Sequence, residues 1–415
     1  MRIRNSARLR RTALSSCALL AVGLLGITAC SSDESSESGD LASLPTTELP
    51  AQPATGTPVK IGLITLEGGP MVSIPEIRVG AEAAVKYVNE NAGGLAGHPI
   101  DLITCKEFED TASATSCANQ MVEQKVAAVI HPSGSQGGAI LPILTGAGIP
   151  FVGLNGVAPA EMMSPNSYML TAGMPGVINS WAAYAGDHGA KKFAIAVSNG
   201  GGVGAIVQTF AEPVFKEKGV EVKVVPIEPG TADPTPQLTA GLANQPDAVG
   251  ILGEGALCIS VLRTMQTVAP TQEKYLVPTC VEENVVKAVG TTAMQNSIGF
   301  TAVDPNSDDP DSVLYRTVLA KYAPSLSPAG YGSSGYQSVL GLVRAANGIQ
   351  GDVTPAAITE ALRSTKDVAL PAGGGITFTC DGTSFPQLKS ICSRTLLVGE
   401  VNADGVPVDL APIGA

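Results

Sequence analysis

The sequence predicts an α/β protein built as two lobes, each a parallel-type sheet flanked by helices. Three observations carry this. Short apolar runs alternate with longer segments whose apolar residues recur at helical spacing. The strand-like runs are nearly continuous in apolar residues, the pattern of sheets covered on both faces. Residues 58–415 exceed what one sheet core usually supports, so two units are expected.

The elements follow in order. "VKIGLITL" reads as a strand. Ile77, Ala81, Ala84, Val85 and Val88 then recur at helical spacing, and Gly93–Gly94 stop the helix. "PIDLITC" is a strand, "TASATSCANQMVEQK" a helix, "VAAVI" a strand. "HPSGSQGGAILPILTGAGIP" packs small and hydroxylated residues into a loop before a helix, and "PFVGL" closes this half. After "TAGMPG" the alternation resumes. Helical "INSWAAYAGDHGA", "GAIVQTFAEPVFKEKG", "DPTPQLTAGLANQ", "ALCISVLRTMQTVA" and "EENVVKAVG" each precede a strand: "KKFAIAVS", "VEVKVVPIE", "DAVGIL", "EKYLVPT" and "SIGFTAV". No low-complexity segment or solenoid-length repeat interrupts the folded part.

The N-terminal region reads differently. "MRIRNSARLRR" carries five Arg and no acid, and the apolar run after it is too short for a comfortable membrane span. "GITAC" resembles a bacterial lipobox, which makes residues 1–29 a lipoprotein signal peptide and Cys30 the lipidated first residue. Arg10–Arg11 leaves the export route, general or twin-arginine, open. Residues 30–57 are rich in Ser, Pro, Thr and acid, bury too little to fold, and read as a disordered tether. Loss of residues 1–29 moves the formal net charge from −12 to −17. Such a surface disfavours nucleic acid and anionic headgroups.

Six further cysteines fall as three close pairs, separated by 12, 22 and 12 residues. Short loops close most readily, so an exported chain is expected to link Cys105–Cys117, Cys258–Cys280 and Cys380–Cys392. A zinc site is the rival reading, but the chain has no C-x-x-C and only three His. No metal or cofactor is expected. "GSQGGAIL" lacks the Lys of a phosphate loop, and "SNGGGVGAIV" lacks the last Gly of a dinucleotide loop. Without H-E-x-x-H or G-x-S-x-G, and with no His and acid placed to activate a Ser, no enzyme is expected.

Glycine tracts where strands meet helices offer backbone N–H groups to polar ligand atoms, although they also serve as tight turns. On that ground Ser133, Gly134 and Ser135 are expected to hold ligand, as are Asn199 and Gly202 in the equivalent second-half loop.

The lipobox, acidic tether, repeated βα units and C-terminal "ITFTCDGTSFPQLKSICSRTLLVGEV" together resemble the solute-binding proteins of ABC importers. The order of "KIGLITLEGG", "VKYVNENAGGLAGHPIDLITCKEFED" and "VAAVIHPSGSQGGAILPILTGAGIPFVG" is similar to the type I periplasmic group that includes the Leu/Ile/Val-binding proteins. The resemblance implies two Rossmann-like lobes joined by a three-segment hinge near 171–175, 300–304 and 349–354. Lobe one would comprise 58–172 and 304–349, lobe two 173–303 and 350–415. It also implies that Glu67, Gly68, Asn155, Gly156, Val157 and Ala158 line the cleft from lobe one, with Tyr336 on the hinge side. From lobe two it implies Glu254 and Glu282, the latter near the family's ammonium-binding acid. Ala158 replaces a frequent hydroxyl residue, and Val203–Gly204 stands where relatives commonly have Tyr-Gly. The implied protein is a monomer held by lipid at the outer face of the cytoplasmic membrane. It captures a small polar solute, an amino acid or related compound, for an importer permease. A ligand-sensing lipoprotein on the same fold is the alternative.

Overall fold

The Val- and Ile-rich runs assemble into two principal sheets, whose central strands are buried on both faces because both faces are apolar. The computed structural model describes residues 44–69, 73–200, 203–385 and 387–414. The first half runs β1 (Val59–Leu66), α1 (Pro75–Asn91), β2 (Ile100–Glu107), α2 (Thr111–Gln124), β3 (Ala128–His131), α3 (Gly137–Gly146), β4 (Phe151–Gly153), α4 (Pro159–Met163) and β5 (Ser167–Met169). These strands form an all-parallel sheet in the order β2-β1-β3-β4-β5.

The second half runs α5 (Gly173–Asp187), β6 (Lys192–Ser198), α6 (Val203–Glu217), β7 (Glu221–Ile227), α7 (Thr235–Gly241), β8 (Ala248–Leu252), α8 (Gly255–Val268), β9 (Glu273–Leu276), α9 (Glu283–Val289), α10 (Thr291–Met294) and β10 (Ser297–Thr301). The chain then gives α11 (Pro310–Tyr322), α12 (Gly332–Ala346), α13 (Pro355–Arg363), the short pair β11 (Val368–Ala369) and β12 (Thr377–Phe378), and finally β13 (Leu396–Val401) and β14 (Pro407–Ile413). The second sheet has the order β14-β13-β10-β9-β8-β6-β7. Its strands β6 to β10 are parallel, and β13 and β14 add an antiparallel edge.

Each sheet buries its own core. Trp181, Phe193, Phe215, Tyr275 and Phe300 fill the second; Ile61, Leu63, Tyr315 and Tyr336 belong to the first. Residues 45–57, expected as disordered tether, instead lie on the first lobe: Arg316 donates to the Pro45 carbonyl, Asn91 to that of Pro50, and the Ala54 and Gly56 amides to those of Asn89 and Gly97. The return segment is the main departure from the sequence expectation. Residues 350–415 were expected with lobe two. Instead Ile358 and Leu362 of α13, together with Leu370, Ile376, Phe378, Cys380 and Cys392, pack into the first core. Ser390 and Cys392 exchange backbone hydrogen bonds with Met169, extending the first sheet beside β5. The last crossing therefore lies between Cys392 and Leu396, not near 349–354. The apolar positions of α13 need a wall, and the first lobe supplies it.

α12 seats this segment. It is buried on nearly all sides and lies along α1. A Cβ on Gly335 would collide with the Ile77 carbonyl, and one on Gly80 with the Gly332 carbonyl. The Gln337 side chain, 2 % exposed, donates to the carbonyls of Ala302 and Pro371, both at 2.8 Å, and so ties the second crossing to the return segment. The three expected disulfides are present, with Cα separations of 5.5, 5.1 and 4.4 Å.

Gly335→Ala should lower stability by about 3 kcal/mol, because the obstacle is backbone that cannot swing aside. Urea unfolding checks this; an unchanged midpoint would mean that the two helices do not interlock.

Candidate functional site

Reduced to its parallel strands, each sheet has the same order, with the second strand outside the first and the third on the first strand's other side. Connections therefore leave β1 and β3 in opposite directions, and likewise β6 and β8. The crevice beyond the strand C-termini at such a reversal is where open α/β sheets hold ligands. Glu67 and Gly68 follow β1, and Ser133–Ser135 follow β3. Asn199 follows β6, and Glu254 follows β8. Chain reversal thus brings the loops expected from sequence to one edge of each sheet.

In lobe one that edge is rich in buried charge. His131, at the end of β3, is 2 % exposed. Its ring nitrogens lie 3.9 Å from Glu107 Oε1 and 3.9 Å from Glu161 Oε1. Gly134 passes over this ring: a Cβ there would sit 2.5 Å from His131 Cε1. Glu161 Oε2 accepts from the Val157 and Ala158 amides at 2.8 and 2.9 Å, capping α4. Burial pushes the Glu161 carboxyl above its ordinary value, and nearby Glu109 adds to this; His131 and the two amides oppose it. Glu109 in turn accepts from the amide and hydroxyl of Ser135. Glu107 Oε2 accepts from the Glu109 amide at 2.7 Å. Glu67 is held between Arg78 and Lys106 at 2.8 and 2.6 Å. The Arg78 hydrogen bond is the chief cause of its lowered pKa.

Lobe two presents a less occupied edge. Glu254 stands at the N-terminus of α8, half exposed, with no side-chain hydrogen bond to a described residue. Asn199 is turned inward, donating to Glu228 at 2.7 Å and accepting from the Gly204 amide at 3.0 Å. Glu282 precedes α9, and burial raises its carboxyl; neighbouring Tyr331 partly opposes that rise. Tyr331 directly precedes α12 of lobe one, so these neighbours belong to different lobes.

The expected residues divide accordingly. Ser133 is half-buried, and Asn155 is exposed with its Oδ1 accepting from Thr171 Oγ1 at 2.9 Å. Gly68 and Val157 are exposed, Gly156 is buried and Ala158 half-buried. Gly202 and Cys30 lie outside the described residues. Tyr336 is corrected: it is 1 % exposed in the first core, its ring 4.8 Å from that of Tyr315, because α12 is buried on nearly every face. Glu109, Glu161 and Tyr331 were not foreseen. Glu161 had a signal, since an acid three residues after a helix start is the acidic half of a capping box. A surface hollow of about 550 Å³ between Gly93, His98, Asn347 and Gly351 lies at the far ends of α1 and α12 and contains none of these groups. Among the described residues there is no metal-ligating cluster and no helix long and apolar enough to cross a membrane.

The family model for periplasmic binding proteins matches residues 58–404. This chain belongs to the periplasmic binding protein family. Its two-lobed architecture is that of the type I group, and solved structures agree. A leucine-binding protein from Thermotoga maritima superposes with a TM-score of 0.69 at 20% identity, over 86% of this chain and 99% of that one. An ABC transporter substrate-binding protein from Sphaerobacter thermophilus gives 0.71 at 21% identity, over 86% and 98%. A solute-binding protein from R. palustris in complex with 4-hydroxybenzoate gives 0.67 at 18% identity, over 86% and 95%. No curated protein sequence matches this periplasmic binding protein.

Its Glu67 ion pairs make a pH prediction. A depressed carboxyl stabilises the fold above the ordinary carboxylate value of 4.5 and loses that contribution as pH falls through the depressed value. Glu67→Gln should therefore cost about 2 kcal/mol above pH ~5. The gap to wild type should close below pH ~4.5 in urea titrations run against pH. A gap that widens on acidification would contradict the assignment.

Proposed function

We propose that this periplasmic binding protein captures a small polar solute between its lobes, leaves it chemically unchanged, and hands it to the permease of an ABC importer. The observation that carries this reading is the repeated strand order. Both sheets turn polar, glycine-containing loops toward the crevice beyond their strand ends, and Tyr331 of one lobe neighbours Glu282 of the other. Neither set of loops alone surrounds a ligand. Three crossings of the chain give the lobes a hinge on which to close.

The solute contacts follow from which groups are left over. Ser133 and Asn155 on lobe one, and Glu254 and Glu282 on lobe two, are the side chains we assign to the solute. Gly68 and Gly156 bring backbone close to it. Asn199 supports the loop by holding the Gly204 amide. We assign residues 58–172 and 304–392 to lobe one and 173–303 with 396–415 to lobe two, the third crossing lying between. Anchorage by lipid at Cys30 puts a monomer at the outer membrane face beside its permease. The named relatives include a leucine-binding protein and a complex with 4-hydroxybenzoate, which supports a solute of that size.

A thermal-shift screen of ligand-free protein against amino acids, amines, amides and small organic acids tests this. A true solute at a hundredfold excess over Kd stabilises by about 2.7 kcal/mol. Ser133→Ala should weaken binding about threefold to tenfold, the worth of one hydrogen bond, and Glu254→Ala with Glu282→Ala by more. Turnover of the solute on long incubation would overturn the reading, as would unaltered affinity in both variants.

A further inference from the structure

Several donors that lobe one turns toward the crevice are already taken by its own carboxylates. Glu109 holds the amide and hydroxyl of Ser135. Glu161 holds the amides of Val157 and Ala158 at 2.8 and 2.9 Å. Glu107 holds the amide of Glu109. Loop amides at strand ends are the groups that would otherwise grip a solute carboxylate. Here five of these donors are filled from within.

The groups left open include three carboxylate oxygens as well as His131 Nε2. Glu107 Oε1, Glu109 Oε2 and Glu161 Oε1 are buried with no hydrogen-bond partner among the described residues. The side chains of Glu107 and Glu161 are 0% and 2% exposed. Glu107 Oε1 lies 3.1 Å from where a Cβ of Gly134 would stand, and Glu161 Oε1 lies against Gly137. The open oxygens thus back directly onto the glycines of the loop that follows β3. Buried acceptors of this kind seek a donor, and buried carboxylates seek a positive charge.

The surrounding charge points the same way. No Lys or Arg occurs in the loops 67–74, 108–110, 132–136 and 154–158, nor in 199–202, 253–254 and 277–282. Those loops contain Glu67, Glu109, Asp110, Glu254 and Glu282. The nearby cations Arg78 and Lys106 are both engaged with Glu67. Among the described residues of this edge the further basic group is His131, 3.9 Å from one oxygen each of Glu107 and Glu161.

We propose that the solute is a cation without a free carboxylate, an amine or guanidine, and that Glu109 and Glu161 are the specificity-determining residues that exclude carboxylates. This rests on the binding reading above and narrows it. A carboxylate entering the crevice would meet occupied amides and a ring of like charges. An ammonium or guanidinium would meet acceptors on both lobes.

The test is calorimetry on the ligand-free protein with two matched pairs, arginine against agmatine and leucine against isoamylamine, which differ only in the carboxylate. The expected result is binding of at least one amine about a hundredfold tighter than its amino acid. Glu109→Ala frees the Ser135 amide and hydroxyl and should narrow that ratio at least tenfold. Glu161→Gln, which keeps the cap on α4 but removes its charge, should act in the same direction. An amino acid that binds as well as its amine overturns the proposal and leaves the binding reading standing. Silence from all four overturns it too; if the wider solute screen is then also silent, the binding reading falls with it.

Discussion

The close approach of α12 to α1 is the contact on which the rest of the molecule depends. Two glycines, Gly80 and Gly335, let backbone meet backbone where any side chain would intrude. That approach seats the segment returning from β10 on the first lobe. Gln337, buried within the same helix, then binds the carbonyls of Ala302 and Pro371 and so joins a crossing strand to the return segment. Were α12 to pack elsewhere, the chain would make one passage between lobes in place of three, and no hinge would result.

The same contact fixes the crevice. Because α12 runs beside α1, its N-terminus lies at the edge where the strands of the first sheet end. Tyr331 is therefore carried to the place where it meets Glu282 of the other lobe. Burial and the adjacent carboxylate raise the Tyr331 hydroxyl, which keeps it protonated beside Glu282. Fold and site are thus consequences of one packing decision, and the polar loops need only be long enough to cover the strand ends.

Much of this was legible in the residues. Continuous apolar runs between helical segments gave the parallel strands, since a sheet covered on both faces has no polar alternation to show. Close cysteine spacing gave all three disulfides. The loops after β1, β3, β6 and β8 are legible as strand ends because glycine and polar residues follow each apolar run directly. The return segment was not legible, for physical reasons. β11 and β12 are two residues each, and the Cys380–Cys392 link holds a region with little regular hydrogen bonding. Nothing in its pattern says which lobe it covers. Tyr336 misled because a helix buried on nearly all sides has no polar face against which to orient one tyrosine. Glu109 and Glu161 were overlooked because an acid in a loop reads as solvated; only the folded chain brings Ser135, Val157 and Ala158 within reach.

The central claim is that two lobes open and close about this crevice with Glu282 and Tyr331 as a contact between them. It is tested most directly by the distance between spin labels at Lys86 on α1 and Lys216 on α6, both exposed. The account predicts two separations in the solute-free protein, the longer one more populated in Tyr331→Phe, and only the shorter one at saturating solute. A single separation, unchanged by solute and by the substitution, would contradict it.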